Sequence, residues 1–373
     1  MSENLTRRRS ILESFGFSRA AIEILLTVLQ RDVPAVRPAV ERSLLGAEIF
    51  IPEWIEVVVK AGKEGALEAL REIIFELNFP IAEGTSATPA YQELALAGGR
   101  NLADVRDRLP PEGPQWEKPA AMRLSLHDSG GGLIPVLQTG SRADFETLVR
   151  AIIHHNEPKP VPASMGSVFI NGYPNRRRYL LVRKALAEGV LPAEKRDPQL
   201  WRDKFIIIST GPYSGVDAES LGLTVEKWRD LSVAIRIDHE CTHYLARRLF
   251  PRLKFGLQDE LVADFAGLMS ATGLFPAQMF LTFMGLENFP DYRTGGRFEN
   301  YQKELGVSSD AFHAVGRLLV EASRHLERSF ADWSAARWDS DRGTVIAALT
   351  HASLEELAAG QALPGSASIP VSS

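Results

Sequence analysis

"IRIDHECTHYLARRLF", residues 235–250, sets two histidines four positions apart, with a glutamate directly after the first, inside an otherwise apolar stretch. The run from Thr224 to Phe250 holds no proline or glycine, and Pro251 stops it, so it reads as one long helix, the central element of the carboxy-terminal half. On a helix, residues four apart are rotated by only about 40° and stand one above the other. His239 and His243 therefore project from one face at a separation suited to a single cation, and imidazole nitrogen is a good zinc ligand. Glu240 is turned about 100° from His239, which puts it beside a bound ion rather than on it. There its carboxylate can take a proton from a water that the ion polarises. Ile235, Ile237, Leu245, Ala246 and Leu249 surround these polar groups, so burying them without a partner would be costly.

A catalytic zinc site normally takes three protein ligands and leaves a fourth position open. "GLQDELVADFAGLMSATG", residues 256–273, supplies the third ligand on a second predicted helix. Glu260 can bind the metal, while Asp264, four residues on and on the same helical face, reaches back to a ligand histidine and fixes its tautomer.

"HECTH" and "ELVAD" together resemble the HExxH and ExxxD pair of the gluzincin metallopeptidases, the thermolysin-like class, over about thirty residues of the chain. The resemblance implies Zn2+ as cofactor, His239, His243 and Glu260 as ligands, Glu240 as general base and Asp264 as the residue that orients His239. It also implies that the strand at 204–209 corresponds in place to the substrate-binding edge strand of that class.

A hydrolase of this kind needs a donor for the oxyanion that forms when water attacks a carbonyl. "FPDYRTGGRFENYQKELGVSSDAFHAVGRLL", residues 289–319, offers Tyr292, Arg293, Arg297, Tyr301 and His313. Tyr301 and His313 are the expected catalytic donors, and Arg297 the expected substrate-binding residue.

The rest of the chain bounds this reading. With 373 residues, 45% of them hydrophobic, it can bury a substantial core. A net charge of −5 gives no broad basic surface for nucleic acid. No apolar run reaches the ~18–20 residues of a membrane helix, and the amino terminus lacks the apolar core of a secretory signal. The single cysteine, Cys241, excludes an intramolecular disulfide, fits a reducing compartment and, turned away from the ligand face, reads as a small core residue. The expected setting is the cytoplasm, with a peptide or small-molecule substrate and neither nucleic acid nor membrane as partner.

The pattern predicts a mainly α fold with a small β component (α+β). Residues 1–115 read as a helical region, in which "AAIEILLTVLQRDV", "PEWIEVVVKAG" and "EGALEALREIIFELN" carry apolar positions three and four apart, the last closed by Asn78 and Pro80. Residues 116–215 read as a mixed segment with a short sheet, "RDKFIIIST" at 202–210 being the clearest strand and "SVFING" at 167–172 another. Residues 216–362 form the helical zinc-binding region, and 363–373 a disordered tail. The triple glycine at 130–132 lacks the lysine of a P-loop and reads as a turn. His154 and His155, at a helix end near Glu157, point about 100° apart and suit the helix dipole better than a shared metal. Arg176, Arg177 and Arg178 read as a solvated surface run, with an anion clamp as the other use of such a run.

These features predict a zinc-dependent hydrolase that cleaves an amide, peptide or related carbonyl bond. Two other readings follow. One keeps the metal in a tailoring enzyme, a lyase or cyclase acting on a small or carrier-bound metabolite; the other is a non-catalytic binding or scaffold protein in which the motif holds zinc structurally, with a fourth protein ligand closing the site, or holds nothing.

Overall fold

The computed structural model of the protein, which describes residues 3–34, 45–96, 102–163, 165–190, 197–254 and 256–361, is mainly helical with one small mixed sheet, the class the periodicity predicts. The expected tail at 363–373 lies outside the described residues. The chain divides into two compact units, Met1–Leu45 with Ser129–Gly131 and Pro212–Ser373, and Gly46–Asp128 with Gly132–Gly211.

This division cuts across the three segments read from the sequence, because the amphipathic helices of 1–115 bury their apolar faces in two different cores. Helix α1 (Glu3–Ser14) and helix α2 (Arg19–Val28) place Leu12, Ile22, Leu25 and Leu26 in the core of the first unit. Arg8 on α1 forms a buried ion pair with Glu355, tying the start of the described chain to its end. Helix α3 (Ile51–Glu64) and helix α4 (Ala66–Arg71) instead bury Trp54, Val57, Leu67 and Leu70 in the core of the second unit. The Trp54 ring packs 5.3 Å from that of Phe205.

In the second unit, strands β1 (Arg123–Asp128), β2 (Leu133–Gln138), β3 (Ser167–Pro174) and β4 (Arg202–Ile208) lie in the order β1-β2-β4-β3. β2 and β4 are parallel and the other two pairs antiparallel. A parallel pair needs a crossover, and helix α5 (Arg142–Ile152) lies within it. Phe205, Ile206, Ile207 and Ile208 are all buried, so β4 is covered on both faces, which explains its continuous rather than alternating apolar run. Paired with β2 on one side and β3 on the other, it is an interior strand and not the edge strand expected at 204–209. Gly172, at φ +109, sits at the register shift between Asn171 and Tyr173, where the left-handed backbone suits glycine.

Two local readings change in this unit. The third predicted helix stops at Arg71, and a 3-10 turn at Phe75–Asn78 follows; the Asn78 amide donates to the carbonyls of Arg71 and Phe75 at 3.0 and 3.3 Å. The arginine run opens helix α6 (Arg176–Ala187), but only Arg177 is exposed. Arg178 is buried between Asp203 at 2.6 Å and Glu53 at 2.7 Å, and Arg176 lies 3.8 Å from buried Glu76. Buried carboxylates need counter-charges, and this requirement overrides the surface preference of arginine. Glu157 accepts from the backbone of Gly84 and Ser86 and from the Ser86 hydroxyl, a tie between loops.

The first unit continues with helix α7 (Val225–Leu249), capped by the Thr224 hydroxyl, which accepts from Lys227 N at 3.2 Å. Helices α8 (Leu257–Thr272), α9 (Ala277–Met284), α10 (Arg297–Leu305), α11 (Ser309–Phe330), α12 (Ala335–His351) and α13 (Leu354–Ala358) follow. α7 and α8 approach so closely that a Cβ at Gly267 would sit 2.7 Å from the Ile235 carbonyl oxygen, so only glycine fits there. This approach is what lets the carboxylates of α8 reach the histidines of α7. Gly131 packs on the same helix: a Cβ there would lie 2.8 Å from Leu245 Cδ1. Among the described residues, no helix is long and apolar enough to cross a membrane.

Candidate metal centre

His239 and His243 lie in the middle of α7, both buried, and their Nε2 atoms face each other 3.1 Å apart. Glu260, near the start of α8, brings Oε1 to 3.4 Å from His243 Nε2 and Oε2 to 3.7 Å from His239 Nε2. The ligand atoms of these three residues all lie within 4.8 Å of one another. Two donors each 2.0–2.1 Å from a tetrahedral ion stand about 3.3–3.4 Å apart; the imidazole pair at 3.1 Å and Glu260 Oε1 at 3.4 Å from His243 are close to this, while the Glu260 contact to His239, at 3.7 Å, is made by the other oxygen, Oε2.

The surrounding hydrogen bonds fix the tautomer of His239. Its Nδ1 lies 2.8 Å from Asp264 Oδ1, a contact that is a hydrogen bond only when Nδ1 carries the proton, which leaves the Nε2 lone pair able to bind a cation. Tyr213 donates its hydroxyl to the same Asp264 oxygen and stands 2.9 Å from His239 Nδ1. Arg297 completes the set, with Nη1 donating to Asp264 Oδ2 at 2.9 Å and to Ser214 Oγ at 3.1 Å, and Nη2 donating to Glu260 Oε2.

Charge explains the titration of the group. Burial opposes ionisation of Glu260, but Arg297, then His243 and His239, outweigh it and hold its carboxyl far below the usual range. Asp264 is likewise lowered: burial works against it, and Arg297 and His239 prevail. Burial alone would depress His243, yet its hydrogen bond to Glu260 and the charges of Glu260, Glu240 and Asp259 raise it to about 8. Formally, four carboxylates (Glu240, Asp259, Glu260 and Asp264) face two guanidiniums, Arg297 and the Arg31 that pairs with Asp259 at 2.6 Å, and a divalent cation brings the group to neutrality.

The residues expected from the sequence are placed as follows. His239, His243, Glu260 and Asp264 come together in one cluster. Glu240 is buried beside His243, and its carboxylate has no hydrogen-bond or ion partner among the described residues. Tyr301, on α10, is near enough to Glu260, Arg297 and Asp264 to feel their charges, and its hydroxyl has no hydrogen-bond partner among the described residues. His313 stands apart: it is exposed on α11 and its Nε2 lies 2.8 Å from the Pro290 carbonyl oxygen, a contact that fixes the loop rather than the cluster. Arg297 is not a free substrate clamp, because Glu260, Asp264 and Ser214 already engage its donors. Arg293 is similarly spent on Glu287 and the Thr282 carbonyl. Cys241 is a buried thiol in the helix. Sequence reasoning missed Tyr213, whose only signal is a tyrosine just after the Gly-Pro exit of β4.

The family of unknown function DUF7005 matches residues 10–361. The chain belongs to that family. The match spans both compact units and includes every residue of the cluster. No curated protein and no solved structure matches the chain.

Proposed function

We propose that the protein is a zinc-dependent hydrolase that cleaves an amide, peptide or related carbonyl bond in the cytoplasm. The observation that carries this reading is the convergence of three metal-binding groups, His239, His243 and Glu260, with the unpartnered carboxylate of Glu240 beside them. The likeness to the gluzincin motif pair supports the same assignment. Among the described residues the group has three ligands, and the Glu260 side chain is 20% exposed, which favours a site reachable by substrate over a closed structural one. Zinc, when bound, supplies Lewis acidity toward water and the substrate carbonyl.

The chain's own residues carry the rest of the chemistry. Glu240 takes a proton from the attacking water and returns it to the leaving nitrogen or oxygen as the bond between that atom and the carbonyl carbon breaks. Asp264 and Tyr213 keep the His239 proton on Nδ1. Tyr301 donates its hydroxyl to the developing oxyanion; burial first, and the charge of Glu260 second, push its phenol well above the ordinary range, so it stays protonated at neutral pH.

Elemental analysis of protein purified without added metal, combined with a screen of peptide and amide hydrolysis, tests this. Wild type should carry zinc. Glu240→Gln should keep the metal while turnover falls by ~10²–10⁴-fold. Glu260→Gln should lose metal first and recover part of its activity in excess zinc. Wild type without metal, or with iron in its place, would overturn the zinc reading. So would a Glu240→Gln protein that loses its metal while Glu260→Gln keeps both metal and activity.

A further inference from the structure

We propose that Arg297 is a positioning residue that confines Glu260 to one-oxygen ligation and thereby keeps a coordination position open for water or substrate; this rests on the zinc reading above. The two oxygens of Glu260 have different surroundings. Each oxygen faces an imidazole, Oε1 that of His243 at 3.4 Å and Oε2 that of His239 at 3.7 Å, but only Oε2 also accepts the charge-assisted hydrogen bond from Arg297 Nη2. An oxygen that already accepts from a guanidinium is a poorer donor to a cation, and a cation approaching it meets a like charge.

The arginine is held so that this division persists. The planar fork of the guanidinium spans Glu260 and Asp264, and anchoring one arm orients the other. Nη1 also donates to Ser214 Oγ at 3.1 Å, and the guanidinium carbon lies 5.8 Å from the centroid of the Tyr213 ring. That ring is fixed in turn: Tyr213 N donates to Ser232 Oγ at 3.0 Å, its face meets Arg236 at 5.4 Å, and Phe283 packs edge-on at 5.0 Å. With its side chain 13% exposed, Arg297 cannot swing into solvent without leaving the buried Asp264 and the partly exposed Glu260 without their counter-charge. A guanidinium in this position acts on the metal through its ligand and touches neither the ion nor the substrate.

Cobalt(II) is the probe that separates this role from simple structural support, because its visible absorption is stronger with four donors than with five or six. Metal-free wild type, Arg297→Gln and Arg297→Lys would each be loaded with cobalt, and absorbance per bound cobalt measured alongside bound metal. Wild type should give the intense four-donor spectrum. Arg297→Gln, which frees Oε2 to join the ion, should give a weaker one. Arg297→Lys, which keeps the charge but cannot span both carboxylates, should fall between them, and it keeps the test alive if the glutamine variant does not fold. A structural role alone would change how much cobalt binds but not the spectrum of what binds. An unchanged intensity per cobalt in every folded variant would overturn the proposal while leaving the zinc reading intact. Failure of wild type to bind cobalt would overturn the zinc reading itself.

Discussion

Two buried charge clusters, one in each unit, use the same ingredients to different ends. In the second unit Arg178 is clamped between Asp203 and Glu53, and Asn175 and Trp54 donate to the remaining Asp203 oxygen at 2.9 Å each. Every oxygen of Asp203 thus meets a donor. In the first unit Arg297 is clamped between Glu260 and Asp264 in the same way, but next to it two imidazole nitrogens and a carboxylate oxygen converge on one point. Converging acceptors repel unless a proton or a cation lies among them. The difference separates an ion cluster that holds a fold together from one built to hold something else.

The largest effect expected from this contrast is on stability, and in the second unit alone. Arg178→Met leaves Asp203, which is 1% exposed, without its counter-charge, and should cost about 3–5 kcal/mol of folding free energy. Denaturant unfolding measures this, and zinc affinity of the folded variant should not change. A loss of zinc at native conditions would show that the two clusters are not separate in function.

Asp264→Asn probes the other side of the comparison. It keeps the size of the side chain but weakens the bonds that His239, Tyr213 and Arg297 make to it. Zinc affinity or turnover should fall by ~10–100-fold, as read by chelator competition and steady-state rates.

A smaller effect concerns pH. In the metal-free site His243 is raised to about 8, so a proton competes with the cation below that value. Apparent zinc affinity should therefore rise by about tenfold per pH unit up to about 8 and then level off. The sign for folding is the reverse: the raised pKa stabilises the metal-free protein below the unfolded histidine value, and that contribution is lost as pH rises through about 8. An affinity independent of pH across this range would mean that His243 is not a ligand.

The candidate cluster was legible in the sequence because its residues obey local rules. His239 and His243 are one turn apart, Glu260 and Asp264 are one turn apart, and helical geometry carries each pair to one face. β4 was legible from its β-branched centre. What was not legible depends on contacts between distant parts of the chain. The carboxylate partners of Arg297 lie 33 and 37 residues away, so nothing local marks it as a clamp rather than a free cation. Tyr213 reaches His239 from a short turn in which Ser214 takes φ +52, a conformation the residue type does not announce. His313 shares its helical pattern with many surface histidines, and only the packed loop at Pro290 reveals its partner. The assignment of α1 and α2 to the first unit follows from where their apolar faces dock, which periodicity alone does not specify.

Calorimetric titration of zinc into metal-free protein tests the central claim most directly. Wild type should bind one zinc per chain, and a variant carrying both His239→Ala and His243→Ala, less stable because buried Asp264 and partly exposed Glu260 lose their imidazole partners but still folded by circular dichroism at the titration temperature, should bind none at that affinity. Equal zinc binding by the two proteins, or none by wild type, would contradict the assignment of His239, His243 and Glu260 as a metal site.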